Sequence, residues 1–190
     1  MEPVDAIPYP GERPPAPGRL RLVQQFVNTV DYEHKREMLS SPHRLAVVLS
    51  ELGLLDADAE VTRADLTRAL TVREALRSLA LANNGTKVDP DALAVLERAS
   101  ADGRLVVRFD RRGSSLEPSV PGVRGALAEL VGIVYAAMTD GTWRRLKACR
   151  REICQWLFYD RSRNRSARWC QMAVCGNRTK TRAYRVRRLR

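Results

Sequence analysis

Residues 149–178 have the sequence CRREICQWLFYDRSRNRSARWCQMAVCGNR, and this stretch contains every cysteine of the chain. Four residues separate the first two cysteines, four separate the last two, and fifteen lie between the pairs. Two close pairs at matched spacing predict a tetrahedral zinc site with four thiolate ligands. The predicted ligands of one structural Zn²⁺ are Cys149, Cys154, Cys170 and Cys175.

The size of the cysteine-containing segment supports a metal. A module of about 45 residues buries too little surface to fold by itself, and a zinc ion adds on the order of 10 kcal/mol in finger peptides. Three other interpretations of the cysteines stay open: two disulfides, a thiol or zinc redox switch, and core cysteines without metal. A catalytic zinc is disfavoured because four thiolates close the coordination shell.

Positive charge is concentrated around the cysteines. The 190 residues hold 33 Lys and Arg against 22 Asp and Glu, a formal net charge of +11. The 48 residues from Trp143 onward contain 16 Lys and Arg and only two acids, and also all three tryptophans. The 142 residues before them carry a net charge of −3. Such an asymmetry indicates that the C-terminal part binds a polyanion.

The part of the chain before the cysteines predicts a mainly helical domain. Residues 1–17 hold six of the ten prolines and little apolar periodicity, so we expect a disordered arm there. Residues 18–141 then form the helical domain, and residues 142–190 form the zinc-finger module with a basic C-terminal helix. The predicted fold class is mainly α with one small β-hairpin.

Apolar spacing and capping residues predict the individual elements. The predicted helices cover about 22–30, 42–52, 64–82 (as one or two helices), 90–100 and 122–138. The β-branched stretch 104–109 is followed by a polar turn and a second short strand near 116–120, which predicts the hairpin.

The sequence also excludes several classes of protein. No run reaches the roughly 18 consecutive apolar residues that span a bilayer, and the acidic, Pro-rich N-terminus does not resemble a signal peptide. We therefore expect a cytoplasmic protein without a membrane partner. No Ser/His/Asp arrangement, Walker-type loop or dinucleotide fingerprint is present, so we expect no enzymatic activity.

A basic helix is predicted directly after the last cysteine, because the chain beyond Gly176 contains no acid, proline or glycine. Arg178, Arg182 and Arg185 share one face of that helix through their i+4 and i+7 spacing. The candidate nucleic-acid contacts are Arg168, Arg178, Lys180, Arg182, Arg185, Arg187 and Arg188.

Double-stranded DNA is the expected partner of this helix, since Arg reads guanine edges and the other basic groups contact phosphates. RNA stays open, because Trp156, Phe158, Trp169 and Tyr184 could stack on unpaired bases, although aromatics beside metal ligands are usually a small core. An acidic protein partner and a merely solvated charged face are the remaining alternatives.

The cysteine-containing segment resembles the CGNR zinc finger family. The resemblance covers Leu146 to Leu189 and includes the spacing of the cysteines and the tetrapeptide Cys175-Gly-Asn-Arg178. It also includes Phe158-x-Asp-x-Ser-x-Asn164, Arg168-Trp-Cys170 and Tyr184-Arg185. The resemblance implies a zinc-binding module.

The preceding domain resembles the ABATE domain, which commonly precedes this finger. The similarity rests on Phe26-Val-Asn-Thr29, Leu52-Gly-Leu-Leu55 and Arg73-Glu-Ala-Leu-Arg77. Proteins with this architecture are described as bacterial, stress-induced transcription regulators. The resemblance therefore implies a regulatory function.

Taken with the charge pattern, the resemblance predicts a DNA-binding transcription regulator whose N-terminal domain senses a signal or dimerises. The alternatives are an RNA- or ribosome-associated module and a thiol or zinc redox switch. If an unknown small-molecule effector binds, Asn28 is the candidate pocket residue, because it follows an apolar helix face. A helix C-cap or core hydrogen bond is the other interpretation of Asn28. A homodimer is expected because regulators commonly bind two half-sites.

Overall fold

The computed structural model of the chain describes residues 13–111, 113–179 and 181. Over these residues the fold is mainly helical with small hairpins, which confirms the predicted fold class. The helices are α1 (Leu20–Val27), α2 (Pro42–Glu51), α3 (Arg63–Ala82), α4 (Pro90–Asp102) and α5 (Gly122–Thr139). The strands are β1 (Val30–Asp31), β2 (Arg36–Glu37), β3 (Leu105–Asp110), β4 (Gly113–Pro118), β5 (Leu146–Ala148) and β6 (Leu157–Tyr159). A 3₁₀ turn covers Trp143–Arg145, and a π-helical turn covers Met172–Gly176.

The helix starts follow the capping residues of the sequence. Ser41 caps α2 by accepting a hydrogen bond from the Arg44 N–H at 3.2 Å. Thr62 and Asp65 form a reciprocal capping box at the start of α3. The second capping pattern, at Thr71, does not start a new helix. The Thr71 hydroxyl donates to the Thr67 carbonyl of the preceding turn at 2.9 Å, and α3 continues through this position as one helix.

Three antiparallel hairpins accompany the helices: β1–β2, β3–β4 and β5–β6. In β3–β4, Leu105 pairs with Pro118 and Asp110 with Gly113, which confirms the predicted hairpin. This hairpin packs on α5 at Gly132, where an added Cβ would lie 3.3 Å from the Leu116 carbonyl oxygen. The other two hairpins are too short to give a strand pattern in the sequence.

Helix α5 lies in the core. It is long and apolar enough to cross a membrane, although Arg124 and Glu129 interrupt its run of apolar residues. Ten of its residues are buried in the protein, however, and it packs against α1, α3, α4 and the β3–β4 hairpin. An apolar helix that is buried by its own domain is a core helix and does not indicate a membrane protein.

The last residues of the Pro-rich arm are packed, which corrects the prediction of disorder for residues 13–17. Ala16 is buried, and its N–H donates to the Gln24 side-chain oxygen at 2.7 Å. Arg161 donates to the Pro15 carbonyl at 3.1 Å. The buried Gln24 amide needs a partner, and the arm supplies one. Residues 1–12 lie outside the described part of the chain.

The hairpin β5–β6 is shared by two cores. Leu146, Ala148, Leu157 and Tyr159 belong to the main core of the helical domain, with β5 on α3 and β6 on α1. Phe158 points to the opposite side and joins a second cluster, formed with the cysteines. This alternation follows from the two-residue period of a strand. The predicted boundary at 141/142 therefore does not separate two independent cores.

Candidate metal centre and basic surface

Two short turns position the four cysteines. Cys149 directly follows β5, and its N–H donates to the Trp156 carbonyl at 2.9 Å. Cys154 lies in the turn before β6, where its N–H donates to the Arg151 carbonyl at 2.8 Å. Cys170 precedes the π-helical turn, and Cys175 lies within it. Each pair of cysteines thus comes from one tight turn.

The four sulfur atoms lie close together in space. All four Sγ atoms are within 4.8 Å of one another, and none of the cysteines forms a disulfide. The Sγ atom of Cys170 is 3.6 Å from the Sγ atoms of both Cys154 and Cys175. Tetrahedral Zn²⁺ with Zn–S bonds of about 2.3 Å requires sulfur atoms about 3.8 Å apart. The donor set and its spacing therefore fit one structural zinc ion.

The thiols change one another's acidity. Hydrogen bonds from Cys154 and Cys170 lower the pKa of Cys149 from 9.0 to about 2. The hydrogen bond to Cys149 is the main reason that the pKa of Cys154 is raised, and hydrogen bonds to Cys149 and Cys154 raise the pKa of Cys170. One thiolate therefore makes the next harder to form. A divalent cation among the sulfur atoms removes that opposition, so metal binding and deprotonation are coupled.

Comparison with protein families agrees with this geometry. A family model described as "CGNR zinc finger" matches residues 145–188. The ABATE family model, described as "Putative stress-induced transcription regulator", matches residues 20–141, which is more than half of the chain. The chain belongs to the ABATE family. No match is found among curated proteins.

The two family matches confirm the architecture that the sequence resemblance predicts, with the ABATE domain first and the CGNR finger second. They also confirm a regulatory, metal-binding class of protein. Because all four candidate ligands are cysteines, a bound zinc ion would have a coordination shell closed by four thiolates and would hold the finger together.

The aromatic residues of the finger pack against the metal ligands. Trp156 and Phe158 are buried beside the cysteines, and Trp169 is partly buried against them. For these three rings, the structure thus shows the small core beside the metal ligands that is the alternative to stacking on bases. Tyr184 lies outside the described residues. The indole N–H of Trp156 is buried without a hydrogen-bond partner among the described residues.

Asn28 joins the ABATE domain to the finger. Its Nδ2 donates to the Leu157 carbonyl at 3.0 Å, and its Oδ1 accepts from the Leu157 N–H at 2.8 Å. These bonds take the place of a neighbouring strand for β6. Asn28 also lines a cavity of about 320 Å³. Both groups of its amide are nevertheless used by Leu157, so the structure gives Asn28 the core hydrogen-bonding role rather than a ligand contact.

The end of α3 makes further contacts with the finger. Asn84, two residues after α3, donates to the carbonyls of Ala148 and Arg168 at 2.8 and 2.9 Å. Arg77 is 2 % exposed and donates to the carbonyls of Val27 and Gln155 at 2.6 and 2.9 Å. Sequence reasoning missed both roles because the acceptors are backbone atoms distant in the chain.

Arg77 belongs to a charged cluster on α3 in which the arginines are buried and the acids are partly exposed. Glu74 pairs with both Arg73 and Arg77, and Arg73 also pairs with Glu37. Burial opposes ionisation of Glu74, but the charges of Arg77 and Arg73 and a hydrogen bond from Tyr32 outweigh it and lower the pKa of Glu74. This cluster holds the β1–β2 hairpin against α3.

A buried ion pair closes the loop between the two cysteine turns. Lys147 Nζ lies 2.8 Å from Asp160 Oδ2, and Asp160 is completely buried. Asp160 also accepts from the backbone N–H groups of Ser162 and Ala167 at 2.9 and 3.0 Å. Burial opposes the charge, but the hydrogen bonds from Lys147 and Ser162 lower the pKa of Asp160. Asp160 thus caps the loop, and its ionic partner Lys147 is not revealed by any pattern in the sequence.

The structure describes two of the seven predicted nucleic-acid contacts. Arg168 and Arg178 are both exposed, and Arg178 lies in a helical stretch covering residues 177–179 and 181. This stretch lies where the basic helix is predicted to begin. The other five candidates lie outside the described residues: Lys180, Arg182, Arg185, Arg187 and Arg188. Among the described residues of the finger, the exposed arginines are Arg144, Arg150, Arg161, Arg163, Arg165, Arg168 and Arg178.

Two finger arginines contact an acidic residue of the ABATE domain. Glu33 Oε2 accepts from Arg151 Nη1 at 2.9 Å, and Glu33 Oε1 accepts from Arg178 Nη1. Arg151 Nη1 also lies 3.9 Å from the Cys175 sulfur. Burial opposes the charge of Arg151, but its bonds to Glu33 and Cys175 outweigh that effect and raise its pKa. Nothing in the sequence pairs Glu33 with residues more than 100 positions away.

Proposed function

We propose that this protein is a DNA-binding transcription regulator in which the zinc finger carries a basic helix to duplex DNA. The observation that carries the proposal is the density of positive charge on the finger. The last 48 residues have 16 Lys and Arg against two acids, and seven of these arginines are exposed in the described part of the finger. Basic residues with so few compensating acids repel one another, and a bound polyanion relieves that repulsion.

The position of the zinc site supports the same function. The helical stretch begins at Asn177, two residues after the ligand Cys175, so the metal fixes where the basic helix starts. The finger is in turn fixed to the ABATE domain through β5–β6 and Asn28. A signal that moves the ABATE domain would therefore move the basic helix with it.

Duplex DNA is favoured over single-stranded RNA because of the aromatic residues. Single-strand recognition commonly uses exposed aromatic rings that stack on bases. Trp156 and Phe158 are buried beside the cysteines and are not exposed in this way. Recognition through Arg contacts to phosphates and groove edges needs no exposed ring.

The finer parts of the proposal follow from the same features. The ABATE domain would serve as a sensor or a dimerisation unit, and a homodimer would bind two half-sites. The protein would act in the cytoplasm and have no catalytic role. Four cysteines would close the coordination shell of the zinc ion, which supports a structural role for the metal. The His34 ring pairs with Asp31 at 2.7 Å, which supports a structural role for this histidine as well.

The test combines metal analysis with binding. The purified protein should contain one zinc per chain and should bind short duplex DNA more tightly than matched single strands. With about 5–8 phosphate contacts, the plot of log K against log salt should have a slope of roughly −5 to −7. Zinc without salt-dependent duplex binding would refute the proposal, and tighter binding of single-stranded RNA would point to the RNA alternative.

A pair of double variants tests the predicted helix. Arg182→Ala with Arg185→Ala should weaken duplex binding and make the salt slope shallower by about two. The matched control is Arg63→Ala with Arg98→Ala, which removes the same charge from exposed positions on α3 and α4. If both double variants bind alike, the helix face is not the contact.

A further inference from the structure

The contact between Glu33 and the finger brings an acid of the ABATE domain onto the proposed nucleic-acid surface. Glu33 lies in the turn between β1 and β2, and each of its two carboxylate oxygens accepts a hydrogen bond from a different finger arginine. One of these, Arg178, is a predicted nucleic-acid contact at the start of the basic helix. Its side chain remains 58 % exposed beside Glu33.

The turn that carries Glu33 is held in place on both sides. Before it, the Tyr32 hydroxyl donates to Glu74 at 2.7 Å, and the Arg77 guanidinium lies 5.0 Å from the centre of the Tyr32 ring. After it, the His34 N–H donates to Asp31 at 3.1 Å, and the His34 ring lies 2.7 Å from the same carboxylate. Glu33 is therefore presented to the arginines by an anchored turn.

A carboxylate and a phosphate both accept charge-assisted hydrogen bonds from guanidinium groups through their oxygen atoms. We propose that Glu33 competes with nucleic-acid phosphate for Arg151 and Arg178, and so sets the affinity of the finger. This proposal rests on the proposed function. Glu33 occupies one nitrogen of the exposed Arg178 side chain, whereas the side chain of Arg151, only 16 % exposed, becomes accessible only when the turn moves.

The same contact gives the ABATE domain a route to control binding. The turn is anchored to Glu74 and Arg77 on α3, and Arg77 also bonds to the finger at Gln155. A change that shifts the β1–β2 turn away from the finger would release both arginines together. The affinity for a polyanion would then rise without any change in the finger itself.

Glu33→Gln tests the competition directly, because it keeps the shape of the side chain and removes its charge. We expect duplex binding to tighten by about 3- to 30-fold and the salt slope to become steeper by about one, because Glu33 no longer competes at Arg178 and one phosphate contact becomes available. The matched control is Glu97→Gln. It changes the net charge equally at an exposed position on α4, away from the finger arginines, that makes no ion pair among the described residues. Both variants should retain one zinc per chain.

Arg178→Gln, alone and combined with Glu33→Gln, supplies a double-mutant cycle. Loss of Arg178 should weaken binding little when Glu33 is present and several-fold more when Glu33 is replaced. Equal tightening by Glu33→Gln and Glu97→Gln would overturn the proposal, and so would unchanged binding by Glu33→Gln. In both cases wild-type duplex binding would leave the proposed function standing. Absence of binding by every variant and by the wild type would overturn the proposed function and the competition with it.

Discussion

Replacing Asn28 by alanine tests whether the ABATE domain and the finger fold as one unit. The Asn28 side chain is 3 % exposed and supplies both a donor and an acceptor to the backbone of Leu157 in β6. Alanine removes both groups and leaves the hairpin β5–β6 without the partner that Asn28 provides. The substitution should therefore destabilise the joint between the two parts and leave the zinc ligands in place.

The size of the effect follows from the two bonds. Without Asn28, the Leu157 carbonyl keeps a hydrogen bond from Gln24 at 3.2 Å, so the lost donor costs about 1 kcal/mol. The Leu157 N–H is left buried and unpaired, which costs about 1–3 kcal/mol. The free energy of unfolding should thus fall by about 2–4 kcal/mol. For a chain of this size, the melting temperature should fall by roughly 5–15 °C.

Denaturant unfolding followed by tryptophan fluorescence is the suitable assay, because Trp143 and Trp156 are buried on the two sides of the joint. Asn164→Ala is the control, since it makes the same substitution at an exposed finger position. A loss below about 0.5 kcal/mol for Asn28→Ala, the size of an ordinary surface substitution, would refute the reasoning. It would also reopen Asn28 as a ligand contact.

The remaining predictions concern the metal and the buried charges. Cys170→Ser should abolish zinc binding, and calorimetry should show that it lowers the melting temperature of the helical domain as well as unfolding the finger. Lys147→Met should destabilise by about 3–5 kcal/mol in urea unfolding, because it leaves Asp160 buried without its partner. Adding Asp160→Leu to Lys147→Met should recover part of that loss. The pKa of Glu74 is lowered in the folded state from its ordinary value of 4.5. Ionised Glu74 therefore adds to the free energy of unfolding above that pH, and this stabilisation is lost as the pH falls through the lower pKa of the folded state. The difference in stability between wild type and Glu74→Gln should therefore shrink as the pH falls below 5. A constant difference would contradict the lowered pKa of Glu74.

Local signals in the sequence predicted most of the fold. The capping residues at Ser41 and Thr62 begin helices where expected, because a cap satisfies backbone groups of its own turn. The β3–β4 hairpin follows from a β-branched stretch and its turn. The hairpin β5–β6 was not predicted, because strands of three residues give no period and its stability comes from Asn28 and the two cores on either side.

The metal site was predictable, whereas its connection to the ABATE domain was not. Cysteines are rare and their side chains bind the metal directly, so their spacing alone predicts the site. The contacts of Asn84, Arg77 and Glu33 instead depend on which residues the tertiary fold brings together. A terminal Asn after a helix and a charged turn are common, and neither has a sequence pattern that identifies a partner far along the chain.

The shared hairpin makes the zinc ion a stability determinant for both parts of the protein. Zinc contributes about 10–16 kcal/mol to finger peptides, which equals or exceeds the roughly 5–15 kcal/mol that holds a typical domain folded. Leu157 and Phe158 are neighbours in β6, yet the first packs in the helical core and the second among the metal ligands. If strand β6 loses its conformation, its contacts in the helical core and its contacts with the metal ligands are lost together. Loss of zinc therefore weakens the packing on α1 and α3, and a fragment ending at residue 141 would lack apolar surface that its own core requires. We therefore expect the ABATE domain and the finger to unfold as one cooperative structure.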